Sequence, residues 1–427
     1  MTEELTQGSK LGNYELVLRV GRGGMAAVWV ARERAADAMR DDRLVAVKVM
    51  LTELADESEF IKMFLDEVRL VRSIRHPNVV DVYDVGEHDG MMWMAMEWVE
   101  GESLHTVIAE AGKRRAIPPE LAVRIIADAA AGLHAAHELR DLDGSLRGVV
   151  HRDISPHNIL IGTNGSVKLV DFGVAKAVGR ISEATRAGQL KGKFGYMSPE
   201  QALGKGVDRR SDIFSLGIVL FELTTSRRLF RGEHDIETLR LVISGAIPKP
   251  TLIDAKYPLE LERIVLKALE RNVSARYQTA AEFEHDLRAY LKAERLIVPQ
   301  GGVAGILKRV VGERIEQRRK AVRASLKMLG SGDLPAARLL PNDPAFTPTG
   351  KDRITVSGVS TVSGTGLSGL SSPGSSPSGA MRSPLDSSRA RAGRTAPPTR
   401  LSTASMLGYA IGLTGLAIAL FVLIFMR

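Results

Sequence analysis

Residues 148–173 read GVVHRDISPHNILIGTNGSVKLVDFG. This stretch limits the folds open to the chain more than any other. Three short apolar runs, GVV, NILI and VKLV, alternate with loops that carry Asp153, Asn158 and Asp171. Such runs, bounded by glycine, proline and polar residues, read as short strands. The two carboxylates and the amide then form one cluster of hard oxygen ligands, a donor set that suits Mg²⁺ beside a phosphate. Taken singly, either loop could be an ordinary turn at a strand end.

The rest of the pattern gives this cluster a setting. Residues 14–50 are short apolar runs broken by glycine, which predicts strands and tight turns. An amphipathic helix is predicted over 57–74 and another over 119–139, and from Pro199 the pattern stays helical to about Lys292. Strands first and helices later predict an α+β chain with a small β-rich lobe and a larger helical lobe. In VGRGGMAAVWVARE (20–33), Gly21, Gly23 and Gly24 sit between two β-branched runs. A strand follows these glycines, so they are not a dinucleotide-binding turn, and GxxxxGK[ST] is absent. They make either a plain hairpin or a loop whose N–H groups approach a phosphate. In VAVKVM, Lys48 interrupts an apolar strand, and a buried ammonium needs a partner. Glu67 is the one charge in the helical stripe Phe60, Phe64, Val71 and Ile74. A Lys48–Glu67 pair could hold the lysine against a phosphate.

Taken in order, these motifs resemble a protein kinase of the eukaryotic-like (Hanks-type) serine/threonine class found in bacteria, over residues 14–292. HPN at 76–78, SPE at 198–200, Asp212 and Arg276 extend the resemblance. It implies a two-lobed fold, with a small lobe at about 14–98 and a large lobe at about 99–292, after a short extension, 1–13. It also implies ATP with Mg²⁺ (or Mn²⁺) and protein substrates. Backbone N–H groups of the 21–26 loop (Gly21, Arg22, Gly23, Gly24, Met25 and Ala26) would cover the phosphates, with Val20 and Ala27 also counted among the nucleotide-binding residues. Lys48, held by Glu67, would meet the α- and β-phosphates. Asn158 and Asp171 would bind the metal, and Asp153 would accept the proton of the substrate hydroxyl. Met96 would be the gatekeeper, with Glu97 and Val99 on adenine and Val28, Ala46 and Leu160 against its ring. Glu200 would pair with Arg276, and Asp212 would brace the catalytic loop. Arg152 implies control by phosphorylation of the activation segment, at Ser182 or Thr185.

The chain departs from the family pattern at three positions. Ala26 replaces the third glycine of the loop. Ser155 stands where most relatives carry a lysine that neutralises the γ-phosphate, and Lys193 stands where a threonine is usual. The lysine and the small hydroxyl residue have changed places. The expectation is that Lys193 supplies the charge from the opposite wall of the site. The rival expectation is a pseudokinase that binds nucleotide and scaffolds partners.

The chain has no cysteine, which excludes disulfides and thiolate chemistry and fits a reducing compartment. Its net charge of +8 is uneven: residues 301–427 hold 17 Lys/Arg against 6 Asp/Glu, so residues 1–300 sum to about −3. A nucleic-acid partner for the main body is therefore not expected. Residues 301–330 read as a basic amphipathic helix with Ile306, Val310, Ile315, Val322 and Leu326 on its apolar side, suited to docking on the lobes or lying on lipid. Residues 331–405 have the composition of a disordered Ser/Gly/Pro/Arg-rich linker. Residues 406–426 include a run of 20 uncharged residues, long enough for one transmembrane helix. Arginines on its N-terminal side predict a single-pass C-terminal anchor, as in a bacterial inner membrane, with the catalytic lobes in the cytoplasm. Gly408 and Gly412 would permit pairing into a homodimer for trans-autophosphorylation.

Overall fold

The computed structural model describes residues 5–23, 26–34, 43–50, 65, 68–112, 117–172 and 193–331. Glycine and polar breaks cut the first hundred residues into β1 (Lys10–Leu11), β2 (Tyr14–Arg22), β3 (Ala26–Glu33), β4 (Leu44–Met50), β5 (Val82–His88) and β6 (Met91–Glu97). These strands form one antiparallel sheet in the order β1-β2-β3-β4-β6-β5. Register puts Val28 opposite Lys48, Val30 opposite Ala46, Ala46 opposite Met96 and Lys48 opposite Met94. Directly paired residues and residues two apart share a face. One face therefore carries Val28, Ala46, Lys48 and Met96 together. The other face is a separate core that includes Ala27, Trp29, Val47 and Trp93. Residues 68–73 are helical, and Val68, Val71 and Ile74 pack with Met94, Met96 and Phe172. Phe60, Phe64 and Glu67 lie outside the described residues.

The chain then enters the larger lobe through β7 (Gly101–Ser103), α1 (Leu104–Gly112) and α2 (Pro119–His137). Strands β8 (Ile159–Gly162) and β9 (Val167–Leu169) complete a small antiparallel sheet, β7-β8-β9. A side chain at Gly101 would place its Cβ 1.9 Å from the Ile161 carbonyl oxygen, so β7 approaches β8 this closely only with glycine there. Beyond it come α3 (Arg209–Thr225), α4 (Asp235–Ser244), α5 (Leu259–Ala268) and α6 (Ala280–Ala293). Helix α3 is apolar on nearly every side, and its residues 211–223 are all buried, the pattern of a helix at the centre of a core. The side chain of Asp208 caps it by accepting from Arg210 N–H. The architecture is the two-lobed protein kinase fold.

The last described element, α7 (Gln300–Ser331), docks on the protein. Its Val303, Ile306, Leu307, Val311 and Ile315 join the core of the large lobe. Val322 joins the small-lobe cluster of Val17, Leu18, Val20 and Val30, with Leu326 packed against it. Arg318 is buried beside β7, where it donates to Gly101 O at 2.8 Å and pairs with Glu102. One helix thus grips both lobes across their connection. The apolar spacing announced the helix, and the structure gives its partner as the lobes.

Candidate active site

The loop from His151 to Asn158 is held from below by a buried carboxylate. Asp212, in the first turn of α3, accepts from His151 N–H at 2.7 Å and Arg152 N–H at 2.8 Å. His137 at the end of α2 meets the same carboxylate at 2.8 Å. Arg152 has φ +63°, a left-handed conformation that costs a non-glycine residue about 1–2 kcal/mol. The two hydrogen bonds that Asp212 accepts and the one that Gln201 Nε2 donates to Arg152 O at 3.0 Å offset that cost and fix the turn. Gln201 is itself set by a reciprocal cap with Ser198. The sequence reading missed Gln201, though the S-x-x-Q spacing of SPEQ is a capping signal.

The turn delivers Asp153 and Asn158 to one point. Asn158 Nδ2 donates to Asp153 O at 2.8 Å and to Asp153 Oδ2 at 3.0 Å. Both bonds use the nitrogen, so the amide oxygen is the end left for a cation. Asn158 O also accepts from Val170 N–H at 3.0 Å, which ties the loop to the residue before Asp171. Across the site, Lys48 Nζ lies 2.9 Å from Asp171 Oδ1. Partial desolvation works against the Asp171 carboxylate, but the Lys48 ammonium, and Lys193 farther off, outweigh it and hold the carboxyl below its usual range. Lys193 Nζ lies 3.0 Å from Asp153 Oδ2. The structure therefore brings Lys48, Asp153, Asn158, Asp171 and Lys193 into one group.

The other predicted residues fall around this group. Gly21 and Arg22 end β2, paired with Val28 and Ala27, and the turn after them is closed by Gly23 N–H on Ala26 O at 2.7 Å. Gly24 and Met25 lie outside the described residues, as does Glu67, the expected partner of Lys48. Ala27 turns its methyl into the far-side core, so only its backbone faces the turn. Ala46 and Met96 are buried in one cluster with Phe172, and Leu160 is buried on β8. The Glu97 carboxylate is bound by Lys168 at 2.6 Å, and its backbone N–H donates to Asp81 O at 2.9 Å. Val99 packs partly buried beside that cluster. Arg276, with a fully buried side chain, pairs with Glu200 at 2.8 Å, and Ser211 donates to the same carboxylate at 2.6 Å. Burial opposes ionisation of Glu200, but Arg276 and Ser211 prevail and keep its pKa low. Ser182 and Thr185 lie outside the described residues.

One feature had no signal in the sequence. The His157 ring stacks on His105 of α1 at 3.9 Å. Burial first, then His105 and Lys193, lower the His157 pKa to about 3. Below the ordinary value of about 6.5 the unfolded chain takes up a proton that folded His157 refuses, so stability falls as pH drops through that value. This group alone should cost about 1–2 kcal/mol between roughly pH 7.5 and pH 5. His105, His151 and His76 are lowered too, each mainly by burial, and add in the same direction. His157→Phe keeps the stack and gives up no hydrogen bond at Nδ1, which has no partner among the described residues. Melting curves at the two pH values should show a smaller acid-induced drop in the variant. An equal drop would assign the acid sensitivity to other groups.

The protein kinase domain family model matches residues 14–287. MasK of Myxococcus xanthus, named a tyrosine-protein kinase, is 42% identical over 281 residues, covering 66% of this chain and 43% of MasK. The serine/threonine-protein kinase PrkC of Bacillus subtilis is 36% identical over 285 residues, covering 67% of this chain and 41% of PrkC. The serine/threonine-protein kinase PknB of Mycobacterium leprae is 37% identical over 279 residues, with 64% and 42% covered. The match thus spans about two fifths of the length of these curated relatives. In fold, the chain is similar to the crystal structure of the Mycobacterium tuberculosis PknI kinase domain, at TM-score 0.51 and 23% identity, covering 67% of this chain and 99% of that one. With the motifs gathered at one site and the family model spanning both lobes, the chain belongs to the protein kinase domain family.

Proposed function

We propose that this chain is a membrane-anchored protein serine/threonine kinase that transfers the γ-phosphoryl group of MgATP to proteins, a second copy of itself among them. The observation that carries this reading is the convergence of Lys48, Asp153, Asn158 and Asp171 on one open group. The donor set fits a hard cation: an ionised Asp171 carboxylate and an Asn158 amide oxygen, with water and phosphate oxygens left to complete the shell. Mg²⁺ held there would supply positive charge to the phosphates. Lys48 would orient the α- and β-phosphates, and Asp153 would orient the acceptor hydroxyl and take its proton.

A specific observation favours a second reading, tyrosine acceptors. MasK is named a tyrosine-protein kinase, and Ser155 removes one mark of the serine/threonine class. The relatives PrkC and PknB favour serine or threonine. Among the described residues no helix is long and apolar enough to cross a membrane, and 407–426 lies outside them. The anchor therefore rests on the uncharged run in the sequence. The test is to express the full chain beside a chain ending at Ser331, separate membranes, and assay each fraction with labelled MgATP. Activity should sediment with membranes for the full chain only, and acid hydrolysis should release phosphoserine or phosphothreonine. Phosphotyrosine alone would establish the second reading, and a soluble full chain would remove the anchor.

A further inference from the structure

The catalytic loop carries no cation between Asp153 and Asn158. At Ser155 the side chain is buried, and its Oγ has no hydrogen-bond partner among the described residues. A cation nevertheless reaches the same carboxylate from another segment. Lys193 Nζ and Asn158 Nδ2 both lie 3.0 Å from Asp153 Oδ2. The Lys193 side chain is 23% exposed, open enough to face a ligand as well as Asp153. Its backbone is anchored by the turn that follows. In Phe194–Tyr196 both rings are buried, and Tyr196 Oη donates to Glu222 Oε2 at 2.7 Å. A side chain at Gly195 would meet Phe230 O at 2.7 Å, so that turn sits hard against the large lobe. The ammonium is therefore placed before any substrate arrives, which is what electrostatic stabilisation of a transfer requires.

We propose that Lys193 supplies the cationic group that faces the transferred phosphoryl, so that the activation segment carries a catalytic charge the catalytic loop lacks. This deepens the kinase reading above and rests on it. In the step, the acceptor hydroxyl oxygen forms a bond to the γ-phosphorus. The bond from that phosphorus to the β–γ bridging oxygen breaks, and its electron pair leaves with ADP. The hydroxyl proton passes to the Asp153 carboxylate. A hydroxyl hydrogen-bonded to Asp153 lies within about 3 Å of that carboxylate, in the same shell as Lys193 Nζ. Lys48 beside Asp171 and Lys193 beside Asp153 then flank the moving group from two sides.

The test uses the full chain with MgATP and a protein acceptor. Lys193→Ala should lower kcat by ~10²-fold or more, with the KM for ATP little changed, because the lost interaction is made in the transition state. Ser155→Lys combined with Lys193→Thr should recover at least ~10-fold over Lys193→Thr alone, since it returns the charge to the loop. A merely structural lysine would not be rescued from a different segment. Melting temperatures within about 3 °C of wild type show that each variant is folded. The proposal is overturned if Lys193→Ala keeps wild-type kcat or exceeds it, which would make the ion pair a brake on Asp153. It is also overturned if the folded double variant gains nothing. If the wild type itself shows no transfer that depends on Asp153, the kinase reading fails first, and this proposal falls with it.

Discussion

Asp153→Asn is expected to lower kcat for phosphoryl transfer by ~10²–10⁴-fold while nucleotide still binds. The geometry says why the damage should be confined to chemistry. Asn158 Nδ2 bonds the backbone oxygen of residue 153 as well as its side chain, and an asparagine side chain there still offers an oxygen at the second position. The loop is otherwise held through the backbone, by Asp212 on His151 and Arg152 and by Gln201 on Arg152 O. None of these bonds uses the Asp153 carboxylate. Lys193 loses a counter-ion, but its side chain is 23% exposed and water can solvate it, so stability should fall by less than about 1 kcal/mol. Lys48 and Asp171 remain paired at 2.9 Å across the site. What disappears is the carboxylate proposed to take the hydroxyl proton. Turnover and nucleotide affinity, measured side by side on the full chain, separate these effects. A variant that keeps more than about a tenth of the wild-type rate would mean that Asp153 is not the general base.

Legibility in the sequence followed the range of the interaction. The loop could be read because its pattern is local: Asp153 and Asn158 are five residues apart and joined by Asn158 Nδ2 on Asp153 O, just ahead of β8, although the GVV run at 148–150, expected as a strand, forms none. Lys48 could be read because a lysine inside a paired apolar strand is costly without a reason. The meeting of Lys193 with Asp153, 40 residues apart, was accessible only because two departures from the family pattern, at Ser155 and Lys193, compensate each other. Other features were out of reach. The stack of His157 on His105 depends on how α1 sits against the loop, and no periodicity encodes that. The burial of the Ala27 methyl in the far-side core follows from a strand register that shifts between Arg19 and Gly21. Helix α7 was half legible. Ile306, Val310, Ile315, Val322 and Leu326 marked an apolar side, but lipid and protein satisfy such a stripe equally well. The residues that decide between them are polar. Arg318 and Glu102 look like surface charges in sequence and are buried against each other in the fold.

That buried pair carries the largest expected effect on stability. Glu102→Ala should destabilise the protein by about 3–5 kcal/mol, the range for removing one partner of a buried ion pair. Glu102 has no exposed side-chain surface and faces two arginines, Arg318 and, at 3.1 Å, Arg314. Burial, and then the neighbouring Arg314, hold the Arg318 pKa below its usual range, against the pull of Glu102. Without the carboxylate, two guanidiniums would face one another at β7, one of them with little access to water. Charge-free replacement is a different case. Glu102→Leu with Arg314→Leu and Arg318→Leu removes all three charges and should come within about 1–2 kcal/mol of wild type. Chemical denaturation of the three proteins gives the comparison, and equal losses for the single and triple variants would mean that packing volume, not charge, is what counts there. Hydrogen exchange shows where the helix loosens. The segment near Ile306 is set in the large-lobe core and should stay protected, whereas the segment from Arg314 to Leu326, which spans the connection to the small lobe, should exchange faster. Uniform exchange along α7 would show that the helix docks as one unit, with Glu102 adding stability but no hold on the junction between the lobes.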